Sequence, residues 1–297
     1  MGALYAQNLR HPGFQTDEMY RRVNMSRLVK DDIQSISDEI EAYDLRFKEQ
    51  TGYFMDEVAR KTVHLSDVPS PYRTAVISVT SGLGVISGFA EAVCAILRHC
   101  SADAFVTKAS DVDGIYEGVM KGADILFLAD DARFVALSVS ARALAENGEC
   151  TGVGFAEALA CCMGCRREKV LVLGASEVGG AAAAYLAGRG IPVDVFDTNP
   201  NVLRGMKIPG GKITKLDAAP RLREYRYLYD ATTAADLITA GDVSGDTVIA
   251  APGMPRGITE EACRIATVIH NPLELGVIAM YYKCASIMES RKGECDC

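Results

Sequence analysis

Val170-Leu171-Val172-Leu173-Gly174-Ala175-Ser176-Glu177-Val178-Gly179 is the stretch that decides the fold. Four consecutive aliphatic residues read as a strand buried on both faces, and such strands belong to parallel sheets covered by helices. Gly174 permits the tight turn that follows, and Gly179 lets an alanine-rich helix pack closely against the strand. The first amides of that helix, from Ser176, Glu177 and Val178, have no partner within it and carry the positive end of its dipole, so they suit a phosphate. Ser176 stands where a second glycine is usual. Its small hydroxyl side chain fits there and can donate to a phosphate oxygen.

The next strand, Val193–Phe196, ends at Asp197. An acid at that place accepts from the adenosine ribose hydroxyls and repels a 2′-phosphate, which favours NAD over NADP. Nearby Arg204 keeps NADP open, and an ordinary βαβ unit with glycine at its turn is the bland alternative. Further strands are expected at Tyr227–Tyr229, Thr247–Ala251 and Ala266–Ile269. Ligands of open α/β sheets bind along the carboxyl edge, so Ala231, Thr232, Pro252, Gly253 and Asn271 join the cofactor candidates. His270 would lie near the nicotinamide, or would serve as a hydrogen-bonded interdomain histidine. Met280–Ser290 reads as a closing helix able to return to the first domain.

Upstream the text is first helical, over residues 1–72, with Ile33, Ile36, Ile40, Tyr43 and Phe47 at spacings of three and four. Pro69-Ser70-Pro71 ends that region. This layer reads as packing or oligomerisation and leaves a homodimer open. Strands then alternate with helices: strand Ala75–Val79, helix Val85–His99, strand Ala104–Thr107, helix Ile115–Lys121, strand Ile125–Ala129, and helical text over Phe134–Leu144. Gly152–Cys162 resembles a connecting helix. The fold class expected is α/β: a helical N-terminal segment, a substrate domain with a small parallel sheet, and a Rossmann-type NAD domain closed by a C-terminal helix. The corresponding divisions are 1–150, 151–279 and 280–297.

The strands of the first domain end at Thr80-Ser81-Gly82, at Ser110-Asp111-Val112-Asp113 and at Asp130-Asp131. Asp111, Asp113, Asp130 and Asp131 therefore converge on one edge, with Lys108 the nearby cation. Carboxylates in a partly dry cleft pair strongly with ammonium groups. Each aspartate also has a plain reading as the cap of a following helix. Alcohol oxidation usually needs a histidine, lysine or tyrosine base. The chain has four histidines, none with a carboxylate partner nearby in sequence. Amine oxidation needs less, because a neutral amine expels hydride by itself.

The chain has 297 residues, 49% of them hydrophobic and 24% charged, with net charge −8. That balance suits a globular protein and disfavours nucleic acid or anionic membrane as a partner. Charged residues from Arg10 to Arg22 interrupt any signal-peptide core, no run is long and apolar enough for a membrane helix, and a cytoplasmic location is expected. The ten cysteines read as free thiols. Cys161, Cys162, Cys165, Cys295 and Cys297 could furnish zinc ligands, but one Cys-x-x-Cys pair is the only motif support, and no metal is expected.

Taken together, Thr80-Ser81-Gly82-x-Gly84, Asp111-Val112-x-Gly114-x-Tyr116, Ala129-Asp130-Asp131, Pro252-Gly253-x-Pro255 and Pro272-Leu273-x-x-Gly276 resemble the pyrrolysine-forming dehydrogenase family over roughly Val76 to Met280. Ser176 departs from the glycine expected there. The resemblance implies oxidation of the terminal amine of 3-methyl-D-ornithyl-Nε-L-lysine with NAD, release of ammonia, and closure of a pyrroline ring. It also implies a small cationic dipeptide-like substrate, with Ser81, Asp111, Tyr116, Asp130 and Asp131 as substrate-side residues; the place of Asp130 and Asp131 directly after a strand, at the edge where a nicotinamide should meet substrate, makes one of them the expected catalytic carboxylate. Three alternatives stay open: another NAD(P)-dependent amine or pyrroline oxidoreductase, a non-catalytic NAD-sensing module, and a metal-binding protein.

Overall fold

The computed structural model describes residues 30–82, 84–85, 87–206, 212–271 and 273–295. The helical reading of residues 1–29, and the expectations attached to Pro272 and Cys297, lie outside the described residues.

Helix α1 (Lys30–Thr51) buries Ile40, Asp44, Phe47 and Thr51, a face at helical spacing, and α2 (Met55–Thr62) buries Met55, Val58 and Ala59. Asp44 locks the corner between them: its Oδ1 accepts from Met55 N at 2.8 Å, and its Oδ2 lies 2.7 Å from His99 Nε2.

The first sheet follows from β1 (Arg73–Ser78), β2 (Asp103–Val106), β3 (Ile125–Ala129), β4 (Phe134–Ser138) and β5 (Ala143–Glu146), in the order β2-β1-β3-β4-β5. Helix α3 (Phe89–His99) joins β1 to β2, and α4 (Asp111–Met120) joins β2 to β3. β1 pairs parallel with β2 and β3, but β4 and β5 are antiparallel additions. The sheet is therefore mixed and not the small parallel one expected, because Phe134–Leu144 forms a hairpin in place of a helix. Its residues alternate: Phe134, Ala136 and Ser138 are buried, while Leu137 is exposed. That is the period of a strand with one covered face.

The second sheet contains β6 (Val170–Leu173), β7 (Val193–Phe196), β8 (Ile213–Lys215), β9 (Tyr227–Asp230), β10 (Val248–Ala250) and β11 (Thr267–Ile269). Its order is β11-β10-β9-β6-β7-β8 and every pairing is parallel. The chain runs outward from β6 on one side, then returns to β9 on the other, so the topological switch point lies between β6 and β9. Helices α6 (Glu177–Gly188) and α7 (Pro200–Gly205) follow β6 and β7, and α8 (Glu260–Cys263) precedes β11. The short, half-buried edge strand β8 was not foreseen.

Helices α5 (Asn147–Met163) and α9 (Glu274–Cys295) join the two sheets and run across residues 150–151 and 279–280 respectively. Leu275, Val277, Ile278, Met280, Tyr281, Tyr282, Cys284 and Ala285 are all buried, since α9 is enclosed on several sides. As expected, α9 returns to the first domain: Tyr72 N donates to Tyr281 Oη at 3.2 Å, and Tyr282 Oη donates to Cys100 O at 3.4 Å. No helix among the described residues is long and apolar enough to cross a membrane.

Candidate active site

The glycine turn has the close approaches its sequence requires. Gly174 takes φ +86°, and a Cβ there would lie 2.8 Å from Ala231 O. A Cβ on Gly179 would collide with the Gly174 carbonyl oxygen, so α6 can seat its N-terminus on β6 only without side chains at both positions. Ser176 is the N-cap of α6, and its hydroxyl makes no capping bond to the helix. Glu177 turns onto α5, where a Cβ on Gly148 would lie 2.6 Å from its Cδ. Burial first, and then the neighbouring Glu146 carboxylate, push the Glu177 carboxyl above its ordinary pKa. Val178 is half-buried in the same turn.

Asp197 stands at the end of β7 as expected. Its Oδ2 accepts from Ala175 N at 2.8 Å and its Oδ1 from Asn199 N at 2.7 Å. Across the switch point, Asp230 Oδ1 accepts from Thr232 N at 3.0 Å and from Thr232 Oγ1 at 2.7 Å. Burial raises the Asp230 pKa. A Cβ on Gly253 would lie 2.7 Å from Thr232 O, so the turns after β6, β9 and β10 crowd together at Gly174, Ala231, Thr232 and Gly253, beside Pro252. This cradle of small residues and unpartnered helix amides fits a dinucleotide pyrophosphate. Asn271 is 2% exposed, and its amide is used internally: Oδ1 accepts from Leu275 N at 3.2 Å, and Nδ2 donates to Tyr43 Oη at 3.3 Å.

In the first domain two strand ends are tied to the end of β1. Asp111 takes φ +53°, and its carboxylate accepts from Thr80 N at 2.8 Å and from Thr80 Oγ1 at 2.6 Å. These bonds, the hydroxyl's foremost, hold its carboxyl below the usual range. Neither Ser110 nor Asp111 therefore caps α4 in the way the plain reading supposed; the Ser110 side chain makes no capping bond. Asp131 packs over Gly82, where φ is +74° and a Cβ would collide with Asp131 Oδ2. Ser81 is exposed between these contacts.

Asp130 does something else. Its Oδ1 accepts from Ala132 N and Arg133 N, each at 2.8 Å, and so closes the β3–β4 turn. No helix follows for it to cap. Tyr116 is 67% exposed, opposite the buried Gly114 and Gly118 through which α4 packs. No polar contact draws it to the other candidates, whereas Arg133 ion-pairs with Glu146 and so links the β3–β4 turn to the Glu177 side of the glycine loop. Sequence reading missed Arg133, Glu146 and Tyr43; Arg133 was signalled only by its place two residues beyond the aspartates.

Cys161 and Cys162 have thiols pushed up to about 12 and about 11, chiefly by burial. Among the described residues no group of histidine, cysteine and acid side chains is placed to hold a metal ion.

A Rossmann-type parallel sheet with a glycine turn and an acid at the end of the next strand, joined to a second α/β domain with acidic strand ends, has the build of a dehydrogenase. The comparisons with known proteins narrow this. Residues 32–145 match the family described as pyrrolysine biosynthesis protein PylD, N-terminal domain. The chain is 31% identical to the pyrrolysine synthase of Methanosarcina acetivorans, over 87% of this chain and 99% of that protein. It is 30% identical to the pyrrolysine synthase of Methanosarcina barkeri, over 88% of this chain and 98% of that one. The chain belongs to the pyrrolysine synthase family. The family match begins at residue 32 and so takes in α1, which the motif resemblance did not reach. Among solved structures, a quinate dehydrogenase from Corynebacterium glutamicum in complex with NAD matches with TM-score 0.47 and 12% identity, over 75% of this chain and 99% of that one.

Proposed function

We propose that this protein oxidises the terminal amine of 3-methyl-D-ornithyl-Nε-L-lysine, using NAD, to give the pyrroline ring of pyrrolysine. The observation that carries the reading is the convergence of Asp111 and Asp131 on the β1 end at Thr80 and Gly82. The relatives' shared name points to the product, the resemblance to the pyrrolysine-forming family implies the dipeptide, and the carboxylates suit its ammonium groups. The pyrophosphate would rest on the amides of Ser176, Glu177 and Val178, with Gly174, Ala231, Thr232, Pro252 and Gly253 lining its approach. Asp197 would receive the ribose hydroxyls, and Asn271 would bound the nicotinamide end. Bound NAD supplies a hydride acceptor.

The chain's own part is proton handling and charge. A terminal amine at neutral pH is almost wholly protonated, and hydride does not leave an ammonium carbon. Asp131 binds that ammonium group, takes or relays one proton to water, and stabilises the iminium charge that develops. Asp130 holds the turn that aims it. Ser81, Asp111 and Tyr116 are assigned to the rest of the substrate. Water then adds to the iminium carbon, ammonia leaves, and the ornithyl α-amine closes on the aldehyde with release of one water, so that no water is consumed overall.

The test is absorbance of NADH on mixing protein, NAD and the methylornithyl-lysine dipeptide or its unmethylated analogue. Stoichiometric NADH and ammonia are expected. Binding of NADH without turnover of either dipeptide would overturn the substrate, and absence of any NADH binding would overturn the cofactor.

A further inference from the structure

Tyr43 belongs to α1, yet its hydroxyl lies at the carboxyl end of the last strand of the second sheet. It donates to His270 O at 2.7 Å and accepts from Asn271 Nδ2 at 3.3 Å. Asn271 in turn accepts from Leu275 N in the first turn of α9. The ring of His270 lies 2.6 Å from Ala251 O, just beyond β10, and since a carbonyl only accepts, Nδ1 carries the proton. Burial holds this imidazole below its ordinary pKa against the opposing effect of that bond, which fixes the tautomer. One hydroxyl thus completes a net that joins α1, the ends of β10 and β11, and the start of α9.

The strand order gives this net a place in the cofactor site. Asp197 marks the adenosine side, at β7, and β10 and β11 lie across the switch point from it. A dinucleotide laid along the carboxyl edge with its ribose on Asp197 brings its nicotinamide end to the β10–β11 side. The hydroxyl is suited to holding that wall still. It is half-buried, acts as donor and acceptor together, and desolvation raises its pKa above the ordinary tyrosine value. The Tyr43 ring is itself held against Phe47, at a centroid distance of 6.5 Å.

We propose that Tyr43 is a positioning residue for the nicotinamide end of the cofactor site, setting the His270–Asn271 peptide through its hydroxyl from the N-terminal helix. The proposal rests on the NAD reading above. It separates from a purely structural role because the adenosine half of the site is held by other elements. A general loosening of the fold would weaken both halves of a ligand, whereas a displaced β11 end weakens only the nicotinamide half.

Calorimetric titration with NADH and with ADP-ribose, which lacks the nicotinamide, reads that difference directly. Tyr43→Phe is expected to weaken NADH by about tenfold, the scale of one or two lost hydrogen bonds, while ADP-ribose stays within about twofold. Gln50→Ala serves as the comparison. It removes a second, exposed tie between α1 and β11, the 3.1 Å bond from Gln50 Nε2 to Val268 O, and should leave the ratio of the two affinities unchanged. The proposal falls if Tyr43→Phe leaves that ratio as in the unaltered protein, if Gln50→Ala lowers it equally, or if Tyr43→Phe cannot fold. Unaltered protein that binds ADP-ribose but not NADH would defeat the cofactor reading itself, a distinguishable failure.

Discussion

Asp197 accepts a hydrogen bond from the backbone amide of Ala175 at 2.8 Å, so the acid that would read the ribose also braces the glycine turn. With NAD bound, that charge would face the adenosine ribose. A 2′-phosphate would meet that charge directly. NAD is expected to bind at least about tenfold tighter than NADP, a difference of about 1.4 kcal/mol. Asp197→Ala should narrow the gap and also weaken NAD, because the turn loses its brace. Equal affinities in the unaltered protein, measured by titration, would remove the assignment.

The two adjacent aspartates should separate in kinetics. Asp131→Asn keeps the side chain's shape but removes its charge and basicity, and kcat is expected to fall by about 10²–10⁴-fold. Asp130→Asn keeps an acceptor for Ala132 N and Arg133 N, so its effect should be much smaller. NADH formation under saturating dipeptide, with NAD affinity as the folding control, decides between them. Near-normal turnover in Asp131→Asn would place the proton acceptor elsewhere.

Gly82 offers an indirect approach to the same carboxylate. A Cβ there collides with Asp131 Oδ2, and φ of +74° disfavours alanine in any case. Gly82→Ala is expected to displace Asp131, lowering turnover far more than NADH affinity. Comparable losses of both would mean that the loop supports the whole domain and does not merely seat one side chain.

His99 should make stability depend on pH. Its hydrogen bond to the Asp44 carboxylate raises its pKa above the ordinary 6.5, against the opposing effect of burial. A raised folded-state pKa means the stabilisation is fully present below the unfolded value and is lost as pH rises through the folded one. The melting temperature is therefore expected to fall as the buffer is taken from about pH 6 upward through that value. His99→Gln should flatten this component. An unchanged slope in the variant would assign the dependence to other groups.

Much of the fold was legible because its signals are local. Val170–Leu173 is a four-residue apolar run, Val193–Phe196 has three apolar residues around Asp194, and both strands form with those bounds. Gly174 and Gly179 stand where a tight strand-to-helix turn needs them, since the turn's own backbone sterics demand glycine there. The hairpin over Phe134–Glu146 was misread for a local reason too. Its two-residue alternation is written in alanines and leucines, residues that also favour helices, and exposed Leu137 and Leu144 blur the polar face.

The aspartates show where local reading stops. The residue types at the ends of β1, β2 and β3 announced an acidic edge, but not the division of labour along it. Asp130 closes its own turn locally, but that Asp131 covers Gly82 and Asp111 binds Thr80 depends on strands brought side by side from distant parts of the chain. Tyr43 makes the point most plainly: in the sequence it is one apolar position on a helical stripe, and its hydroxyl finds His270 and Asn271 only once both domains have closed on α1. Periodicity and turn chemistry are set by residues within a few places of one another, so the sequence by itself determined most of the elements and the glycine turn after β6. Contacts across more than two hundred residues are set by how whole elements pack, and those only the tertiary structure decided.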